Sequence, residues 1–462
     1  MKGYTLRMLL SALHADASSL ANDLLEREIV GISTDSRTIR QGEVFFALRG
    51  KKYDGSQYVK TAFTNGALCA VINASSIKNN YRDMPIIPVT DTIRALGDTA
   101  FTYRSLFSGK VIAITGTSGK TTVKEMLRSV LAKRLRVHST RGNLNNHIGL
   151  PLSVFGLEKN HECAVFELGM SAPGEIAYLT GIAQPHIGVI LNVGPAHMEF
   201  FPSLEAVAEA KLELLKKLGD GGTAVINGDD ELLRRNMSPT LSRIVTFGIN
   251  GPWDYVAGNV FIHPDGCASF DIKGFRVMLK VPGLHNVYNA LAAYAVGMLM
   301  GVEAHEAVAA LETFTAPEMR MQIVEKKGVR FINDSYNANP MSMESAAGVL
   351  KTMTPLEGGR KIAVLGDMLE LGSLCEDAHF KIGRLFAQSG ITRLCLVGRY
   401  AIHYKCGAIA GGMNQEHIRN FPDPETAARF IDEIKCSGDI ILVKGSRAVG
   451  MEKIISLIDG ID

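Results

Sequence analysis

The amino-acid sequence predicts an α/β protein of three domains: a central, mostly parallel sheet with a P-loop-type phosphate-binding turn, a Rossmann-like C-terminal domain and a small N-terminal α/β domain. The length of 462 residues suits two to four domains. Strand-like and helix-like segments alternate along most of the chain, which is typical of parallel sheets covered by helices. A Gly-Lys-Thr turn at residues 119–121 lies between one such strand and the next helix.

The composition is that of an ordinary globular protein, with 46% hydrophobic and 21% charged residues. A formal net charge of +2 gives no reason to expect a nucleic-acid partner or a membrane surface. The longest apolar run, at residues 290–302, is too short to cross a bilayer, so we expect no membrane insertion. Seven scattered cysteines without a C-x-x-C pair indicate reduced thiols and a cytoplasmic protein.

The predicted domains are residues 1–90, 91–316 and 317–462. Each contains β-like runs, and the third lacks G-x-G-x-x-G, so we infer no nicotinamide or flavin binding from it. Residues 245–282 break the alternation with short runs, and we expect an added antiparallel piece there. The predicted strands are 29–34, 44–47, 68–72, 86–89, 111–114, 163–168, 187–192, 223–226, 329–333, 361–365, 393–397 and 440–443. The predicted helices are 91–106, 203–218, 286–300, 341–351, 377–389, 424–435 and 451–458.

Residues 110–126, KVIAITGTSGKTTVKEM, nearly match the phosphate-binding loop G-x-x-x-x-G-K-[ST]. Ile114 stands where the first glycine would be, and Gly116 precedes Gly-Lys-Thr instead. A turn at a helix N-terminus offers free N–H groups and a dipole that favours an anion. Lys120 would reach the β- and γ-phosphates, and the Thr121 hydroxyl would ligate Mg²⁺. The alternative is an ordinary strand–turn–helix corner, which the Gly-Lys-Thr sequence disfavours.

Polar residues near other predicted strands are further candidates. Glu167 ends an apolar strand and suits Mg²⁺, or is simply a solvated carboxylate. His197 follows another strand, where ligands collect in open α/β sheets, although a loop histidine is more often a surface residue. Lys211 lies on the next helix and is by default a surface lysine. Asp334 ends a strand and suits a ribose or metal contact.

Two asparagine-dense segments add amide groups. GNLNNHIGLP at residues 142–151 is either a surface loop or a loop that offers a substrate paired donors and acceptors. In FINDSYNANPMS, Asn337 and Asn339 precede a proline and suit a turn. Lys444 and Arg447 follow a strand and could bind an anionic group or form salt bridges at the rim.

Taken together and in this order, these segments resemble the Mur ligases, ATP-dependent amide-forming enzymes of peptidoglycan synthesis. The short loop TGTSGKTT is similar to that family's own variant, so Ile114 departs only from the general pattern. The resemblance extends from about residue 30 to the end. DSYNANP is most similar to members that add D-alanyl-D-alanine to UDP-N-acetylmuramoyl-tripeptide. The other motifs are GNLNNHIGLP, FELGMSAPGEI, NVGPAHMEFF with EAKLELL, GLHNVYNALAA, LGDMLELG and VKGSRAVGMEK.

The resemblance implies an ATP site in residues 91–316 and a UDP-substrate-binding domain in residues 1–90. Residues implied in ATP binding are Gly116, Thr117, Ser118, Gly119, Lys120, Thr121, Thr122, Asn286, Asn289, Arg320 and Asp334. Residues implied in binding two Mg²⁺ ions are Thr121, Glu167, His197 and Lys211, the last carbamylated into a carboxylate-like ligand. Residues implied in catalysis are Lys120, His197 and Lys211.

The resemblance also implies the substrate contacts and the reaction. Ser36 would contact the uridine part, Asn145 and Asn146 would face the substrate, and the incoming dipeptide would lie near Asn337 and Asn339. ATP would phosphorylate the tripeptide carboxylate to an acyl phosphate, which the dipeptide amine attacks. The third domain should close over the site to exclude water, with hinges near residues 315–317, and we expect a monomer. Alternatives are a Mur-type or folylpolyglutamate-type ligase with another acceptor, or a non-catalytic nucleotide-binding scaffold.

Overall fold

The structure, a computed structural model, describes residues 1, 3–16, 20, 22–50, 53–77, 81, 84–219, 221–236 and 243–458. In these ranges the strands form an N-terminal sheet, a central parallel sheet with a small antiparallel sheet beside it, and a C-terminal sheet. Helices pack on these sheets, and the predicted α/β fold class is confirmed. Nowhere in the described ranges is a helix long and apolar enough to cross a membrane.

The N-terminal sheet is small and parallel. Its elements are α1 (Leu6–Ala12), α2 (Asn22–Leu25), β1 (Gly31–Ser33), β2 (Glu43–Phe46), α3 (Val59–Thr64), β3 (Cys69–Asn73) and β4 (Ile86–Val89). The strand order is β1-β2-β3-β4. One face, including Val44 and Phe46, joins a core that continues into the middle of the chain. Tyr4 meets Tyr103 there with ring centroids 5.5 Å apart, which ties the N-terminal unit to the central one.

The central sheet is built on apolar parallel strands. Its elements are α4 (Thr92–Ser105), β5 (Lys110–Thr115), α5 (Lys120–Leu131), β6 (Val137–Ser139), α6 (Gly149–Val154), β7 (Cys163–Glu167), α7 (Glu175–Ala183), β8 (Ile187–Ile190), α8 (Leu204–Lys216), β9 (Thr223–Asn227), α9 (Glu231–Asn236), β10 (Arg243–Gly248), β11 (Tyr255–Val256), β12 (Gly258–Ile262), β13 (Cys267–Ile272), β14 (Phe275–Pro282), α10 (His285–Leu299) and α11 (Ala304–Glu312). The parallel order is β11-β10-β9-β8-β5-β7-β6. The phosphate-loop strand β5 is therefore interior, and the residues that follow it emerge between those of β7 and β8.

The antiparallel piece begins later than its apolar runs suggested. We expected residues 245–282 to be antiparallel, but β10 pairs in parallel with β9 over residues 243–247. The antiparallel sheet consists of β12, β13 and β14. The sequence of a short apolar strand does not show whether it runs parallel or antiparallel to its neighbour. Here β9 and β10 are parallel, and helix α9 forms part of the crossover between them.

The C-terminal sheet is parallel except for one edge strand. Its elements are β15 (Gln322–Lys326), β16 (Val329–Asp334), α12 (Pro340–Thr352), β17 (Lys361–Gly366), α13 (Cys375–Ala387), β18 (Arg393–Val397), α14 (Ala401–Ala410), β19 (Ile418–Phe421), α15 (Pro424–Ile434), β20 (Ile440–Lys444) and α16 (Glu452–Leu457). The order is β15-β16-β20-β17-β18-β19, with β15 antiparallel to β16. The register pairs Asp334 with Lys444, so the two ionic side chains leave the sheet at the same edge.

A buried carboxylate ties the strand ends together at the opposite edge of this sheet. Asp439 is 0% exposed and accepts hydrogen bonds from the backbone N–H of Arg360 at 2.8 Å and of Cys436 at 2.9 Å. The Arg360 guanidinium lies 2.6 Å from its second oxygen. Burial raises the pKa of Asp439, but these hydrogen bonds outweigh it and hold the pKa below its usual value. The carboxylate is therefore charged and fully paired.

Removing this carboxylate should loosen the edge of the C-terminal sheet. We expect Asp439→Ala to destabilise the C-terminal domain by about 3 kcal/mol, because buried donors lose their partner. The control Glu325→Ala removes an exposed partner of Arg330 and should cost less than about 1 kcal/mol. Hydrogen exchange of residues 440–444 and urea unfolding followed by circular dichroism measure the two effects. Equal protection in both variants would contradict the assignment.

Candidate active site

A cavity of about 370 Å³ lies where the carboxyl ends of the central strands face the C-terminal domain. Its walls come from both units, which agrees with the rule that ligands bind beyond the carboxyl ends of parallel strands. Ser36, Gly116 and Lys211 are not among its lining residues. The predicted site residues that line it are Thr117, Ser118, Gly119, Lys120, Thr121, Thr122, Asn145, Asn146, Glu167, His197, Asn286, Asn289, Arg320, Asp334, Asn337 and Asn339.

The turn between β5 and α5 is held in place by the segment that follows β8. The N–H of Thr117 donates to the Asn192 backbone carbonyl at 3.1 Å, and the N–H of Ser118 donates to the Asn192 side chain at 2.9 Å. Gly119 has φ +87°, and a Cβ there would lie 2.5 Å from Asn289 Oδ1. Position 119 therefore requires glycine. Ile114, which stands where the general loop pattern has its first glycine, is a fully buried residue of β5. The anchored turn presents the N-terminus of α5 to the cavity.

Lys120 begins α5 and bends back over the turn. Its Nζ donates to the Gly116 carbonyl at 2.6 Å. Burial lowers the pKa of Lys120; the charge of Glu167 opposes this shift, and Arg320 adds to it. A second cation from the C-terminal domain thus lies close enough to Lys120 to act on its protonation. The two cations, Lys120 and Arg320, suit a polyanionic ligand such as a nucleoside triphosphate.

Glu167 and Thr121 lie side by side beneath the turn. Thr121 Oγ1 donates to Glu167 Oε2 at 2.8 Å, and Asn145 Nδ2 donates to Glu167 Oε1 at 2.8 Å. A hydroxyl and a carboxylate next to a phosphate site are the oxygen ligands that Mg²⁺ prefers. Within the described residues, His, Cys, Asp and Glu side chains do not gather in groups of three or more that could hold a metal. The donors therefore fit an ion that phosphate oxygens help to bind.

Lys211 lies close enough to His197 to lower the pKa of its imidazole. Burial lowers the pKa of His197, with further lowering by Lys120 and Lys211, while Glu370 opposes it. His197 Nδ1 lies 2.6 Å from Glu370 Oε2. Lys211 is 3% exposed rather than the surface lysine that is its default interpretation. Burial places its pKa well below the usual range, which favours the neutral amine.

The C-terminal wall of the cavity has a buried ion pair at its centre. Lys444 Nζ lies 2.5 Å from Asp334 Oδ2 and 3.1 Å from the Asn337 carbonyl, so it is not the rim residue that one interpretation allowed. The Arg320 guanidinium stacks over the Tyr336 ring at 4.0 Å. Tyr336 was not predicted, and for Lys444 a salt bridge was one of two alternatives, but at the rim rather than buried against Asp334.

Several predicted asparagines use part of their side chains locally. Asn146 Oδ1 accepts from the N–H of Gly149 at 2.8 Å, at the start of α6. Asn339 caps α12 by accepting from the Ser342 N–H at 2.9 Å. Asn286 Nδ2 donates to the Pro282 carbonyl at 2.7 Å. Their contacts with ligands stay predictions, since these bonds leave only the remaining polar atoms for a substrate.

A second, more apolar cavity of about 660 Å³ adjoins the first. Both are lined by Gly119, Asn289 and His285. Burial lowers the pKa of His285 to about 4, so its imidazole is neutral at physiological pH. Apolar walls with a few polar groups suit a planar heterocycle. The other walls are formed by Leu191, Asn227, Phe247, Ile262, Leu284, Tyr288, Met341, Glu344 and Val349, among others.

Comparisons with known proteins place the chain and its fold in one family. Family models match residues 28–104 (Mur ligase family, catalytic domain), 114–297 (Mur ligase middle domain) and 319–447 (Mur ligase, glutamate ligase domain). The chain belongs to the Mur ligase family, and the resemblance of its motifs is confirmed. One relative is the UDP-N-acetylmuramoyl-tripeptide–D-alanyl-D-alanine ligase of Bacillus subtilis (strain 168), which is 37% identical over 442 residues. The match covers 95% of this chain and 95% of that relative.

Solved structures agree over nearly the whole length. MurF of Acinetobacter baumannii matches with a TM-score of 0.89 at 32% identity, covering 98% of each chain. The MurF ligase from Thermotoga maritima in complex with ADP matches with a TM-score of 0.81 at 30% identity, covering 94% of this chain and 97% of that one. Mur ligases use ATP, and one neighbour is a complex with ADP.

A change at the carboxylate beside Thr121 should affect nucleotide binding only when magnesium is present. We expect Glu167→Gln to weaken ATP binding about tenfold with Mg²⁺, because one charged ligand is lost, and to change it little without Mg²⁺. The control Glu175→Gln alters another cavity carboxylate, which accepts only from backbone N–H groups at Ser171 and Ala172. Calorimetry with and without Mg²⁺ measures both. A loss of affinity that ignores Mg²⁺ would contradict the assignment.

Proposed function

We propose that this chain is an ATP-dependent, ADP-forming ligase that adds D-alanyl-D-alanine to UDP-N-acetylmuramoyl-tripeptide. The product would supply peptidoglycan synthesis, and hence cell wall biogenesis, cell shape and cell division. The observation that carries the proposal is the cavity in which Lys120 and Glu167 of the central unit meet Arg320 and Asp334 of the C-terminal unit. Relatives named for this activity in Bacillus subtilis and Escherichia coli match 95% of the chain.

The reaction has to make a carboxylate reactive toward an amine. The tripeptide carboxylate attacks the γ-phosphorus of ATP, ADP leaves, and an acyl phosphate forms. The dipeptide amine then attacks the carbonyl carbon, and phosphate leaves as the amide forms. Lys120 and Arg320 would stabilise the negative charge on the transferred group, so no side-chain nucleophile is needed. Closure of the cavity between two domains would protect the acyl phosphate from water.

We place the two ends of ATP in the two adjoining cavities. The triphosphate would lie against residues 116–122, where α5 begins and Lys120 projects. The adenine would lie in the apolar cavity, close to Asn289, which lines both spaces. Asn286 lines the polar cavity and orients Asn289 by accepting its amide at 2.8 Å. Arg320 and Asp334 would approach the nucleotide from the C-terminal side.

We propose two Mg²⁺ ions, one held by Thr121 and Glu167 and one by His197 and carbamylated Lys211. Bound Mg²⁺ supplies charge neutralisation for phosphoryl transfer. Lys211 is buried near His197 and Lys120, so as an ammonium group it would repel a metal ion. Reaction of its neutral amine with CO₂ would replace that cation by an anionic oxygen ligand. The neutral imidazole of His197 is likewise the form that binds a metal.

The remaining assignments concern the acceptor substrates and the setting. We assign residues 1–90 to the UDP-substrate-binding domain, with Ser36 contacting the uridine part, residues 91–316 to the ATP-binding domain and residues 317–462 to the C-terminal domain. Asn145 and Asn146 would face the tripeptide substrate. Asn337 and Asn339 would lie near the dipeptide. We propose a monomer that acts in the cytoplasm without a nucleic-acid partner.

Leaving out each substrate in turn tests the function. ADP should form only when ATP, UDP-N-acetylmuramoyl-tripeptide and D-alanyl-D-alanine are all present, and ¹⁸O in the tripeptide carboxylate should appear in released phosphate. Lys120→Ala should lower kcat by at least about 10²-fold, whereas the exposed Lys216→Ala should leave it unchanged. Turnover with free amino acids or folates would favour another acceptor. Retained partner binding without any turnover would favour a scaffold.

A carbamate on Lys211 can be seen without turnover. Protein equilibrated with ¹³C-bicarbonate should show one carbamate carbon signal by NMR. Lys211→Ala should abolish that signal, because the amine that would form the carbamate is then absent. Lys216→Ala is the matched control from the same helix and should retain the signal. A wild-type spectrum without the signal would refute the carbamate.

A further inference from the structure

The loop that carries His197 meets a loop of the C-terminal domain at Glu370. His197 Nδ1 and Glu370 Oε2 are 2.6 Å apart, and the N–H of Glu199 donates to the Glu370 carbonyl at 3.3 Å. Gly372 has φ +56°, and a Cβ there would lie 3.1 Å from Glu199 Cα. Two backbones therefore approach as closely as packing allows, so the side-chain contact is part of a fitted interface between domains.

The backbone at both ends of the contact has an unusual conformation. His197 has φ +57° and Glu370 has φ +63°, values that residues other than glycine rarely adopt. Such strained residues persist where the surrounding structure holds them, and they concentrate at functional sites. Here the strain directs an imidazole and a carboxylate toward each other across a domain boundary.

The chemistry of the contact points to a metal site. A histidine that binds a metal through one ring nitrogen usually donates its other N–H to a carboxylate, which fixes the tautomer and the ring orientation. His197 lines the nucleotide cavity while its Nδ1 faces Glu370. Although the carboxylate is this close, Nδ1 is buried and forms no hydrogen bond of good geometry with any described residue. The Glu370 side chain is 53% exposed, which leaves it room to rotate into line.

We propose that Glu370 is a positioning residue that holds the proton of His197 on Nδ1 and leaves Nε2 for the metal once the C-terminal domain has closed. The inference rests on the proposed function, because it gives His197 a metal to bind. It adds a link between domain closure and completion of the site. An open enzyme would lack the carboxylate that orients its histidine, and would hold the second ion poorly.

The first measurement reports the tautomer and needs no turnover. Protein labelled with ¹⁵N-histidine is studied by NMR with Mg²⁺ and a non-hydrolysable ATP analogue, and His197→Asn identifies the signal. Wild type should show the Nδ1–H form, and Glu370→Ala should shift His197 toward the Nε2–H form. Glu370→Gln keeps an acceptor oxygen and should retain most of the Nδ1–H form. Glu376→Ala removes an exposed carboxylate of the same domain, which lies beside His403, and should leave the His197 signal unchanged.

The second measurement separates positioning from general damage. Glu370→Ala should lower kcat by about 10- to 100-fold with the KM for ATP changed less than about threefold, and Glu370→Gln should recover part of the loss. An unchanged tautomer in Glu370→Ala, or a changed tautomer with unchanged kcat, would overturn the proposal. If wild-type protein forms no ADP when ATP, UDP-N-acetylmuramoyl-tripeptide and D-alanyl-D-alanine are all present, the proposed function fails. The tautomer of His197 in Glu370→Ala still tests the contact between the two residues by itself.

Discussion

The clamp between Asn192 and the turn after β5 is the interaction on which the site depends. An anion site works only if its N–H groups already point at the ligand, because reorienting them during binding would consume the energy gained. Asn192 holds Thr117 and Ser118 by backbone and side-chain hydrogen bonds, and Gly119 makes room for Asn289. The strand before the turn and the helix after it are both deeply buried, so the whole arrangement is rigid.

Cations from two domains face one another across the cavity. Burial lowers the pKa of Lys120, and Arg320 lowers it further from the opposite wall. Glu167 opposes that shift, while Lys444 is already paired with Asp334. A polyanion would stabilise the Lys120 cation that burial disfavours. Both domains contribute to one site, because Lys120 and Arg320 come together only where the domains meet.

Much of the fold could be predicted because its strands are apolar runs and its helices have clear spacing. Edge strands β15 and β19 were missed, since they are short, partly exposed and lack the continuous apolar run of a central strand. Strand ends correctly marked the region of Glu167 and Asp334. The burial of Lys211 and the pairing of Lys444 with Asp334 could not be predicted, because distant segments create them. The contact of Glu370 with His197 depends on how two domains dock, which no local pattern encodes.

The central and C-terminal sheets turn the carboxyl ends of their parallel strands toward the same space. One segment that lines this space, residues 143–147, is a connection outside either core. Exchanging such a connection would therefore leave the packing beneath it intact. Such an architecture lets new acceptors be explored through loop replacement, while the machinery that handles the nucleotide stays in place on the other side.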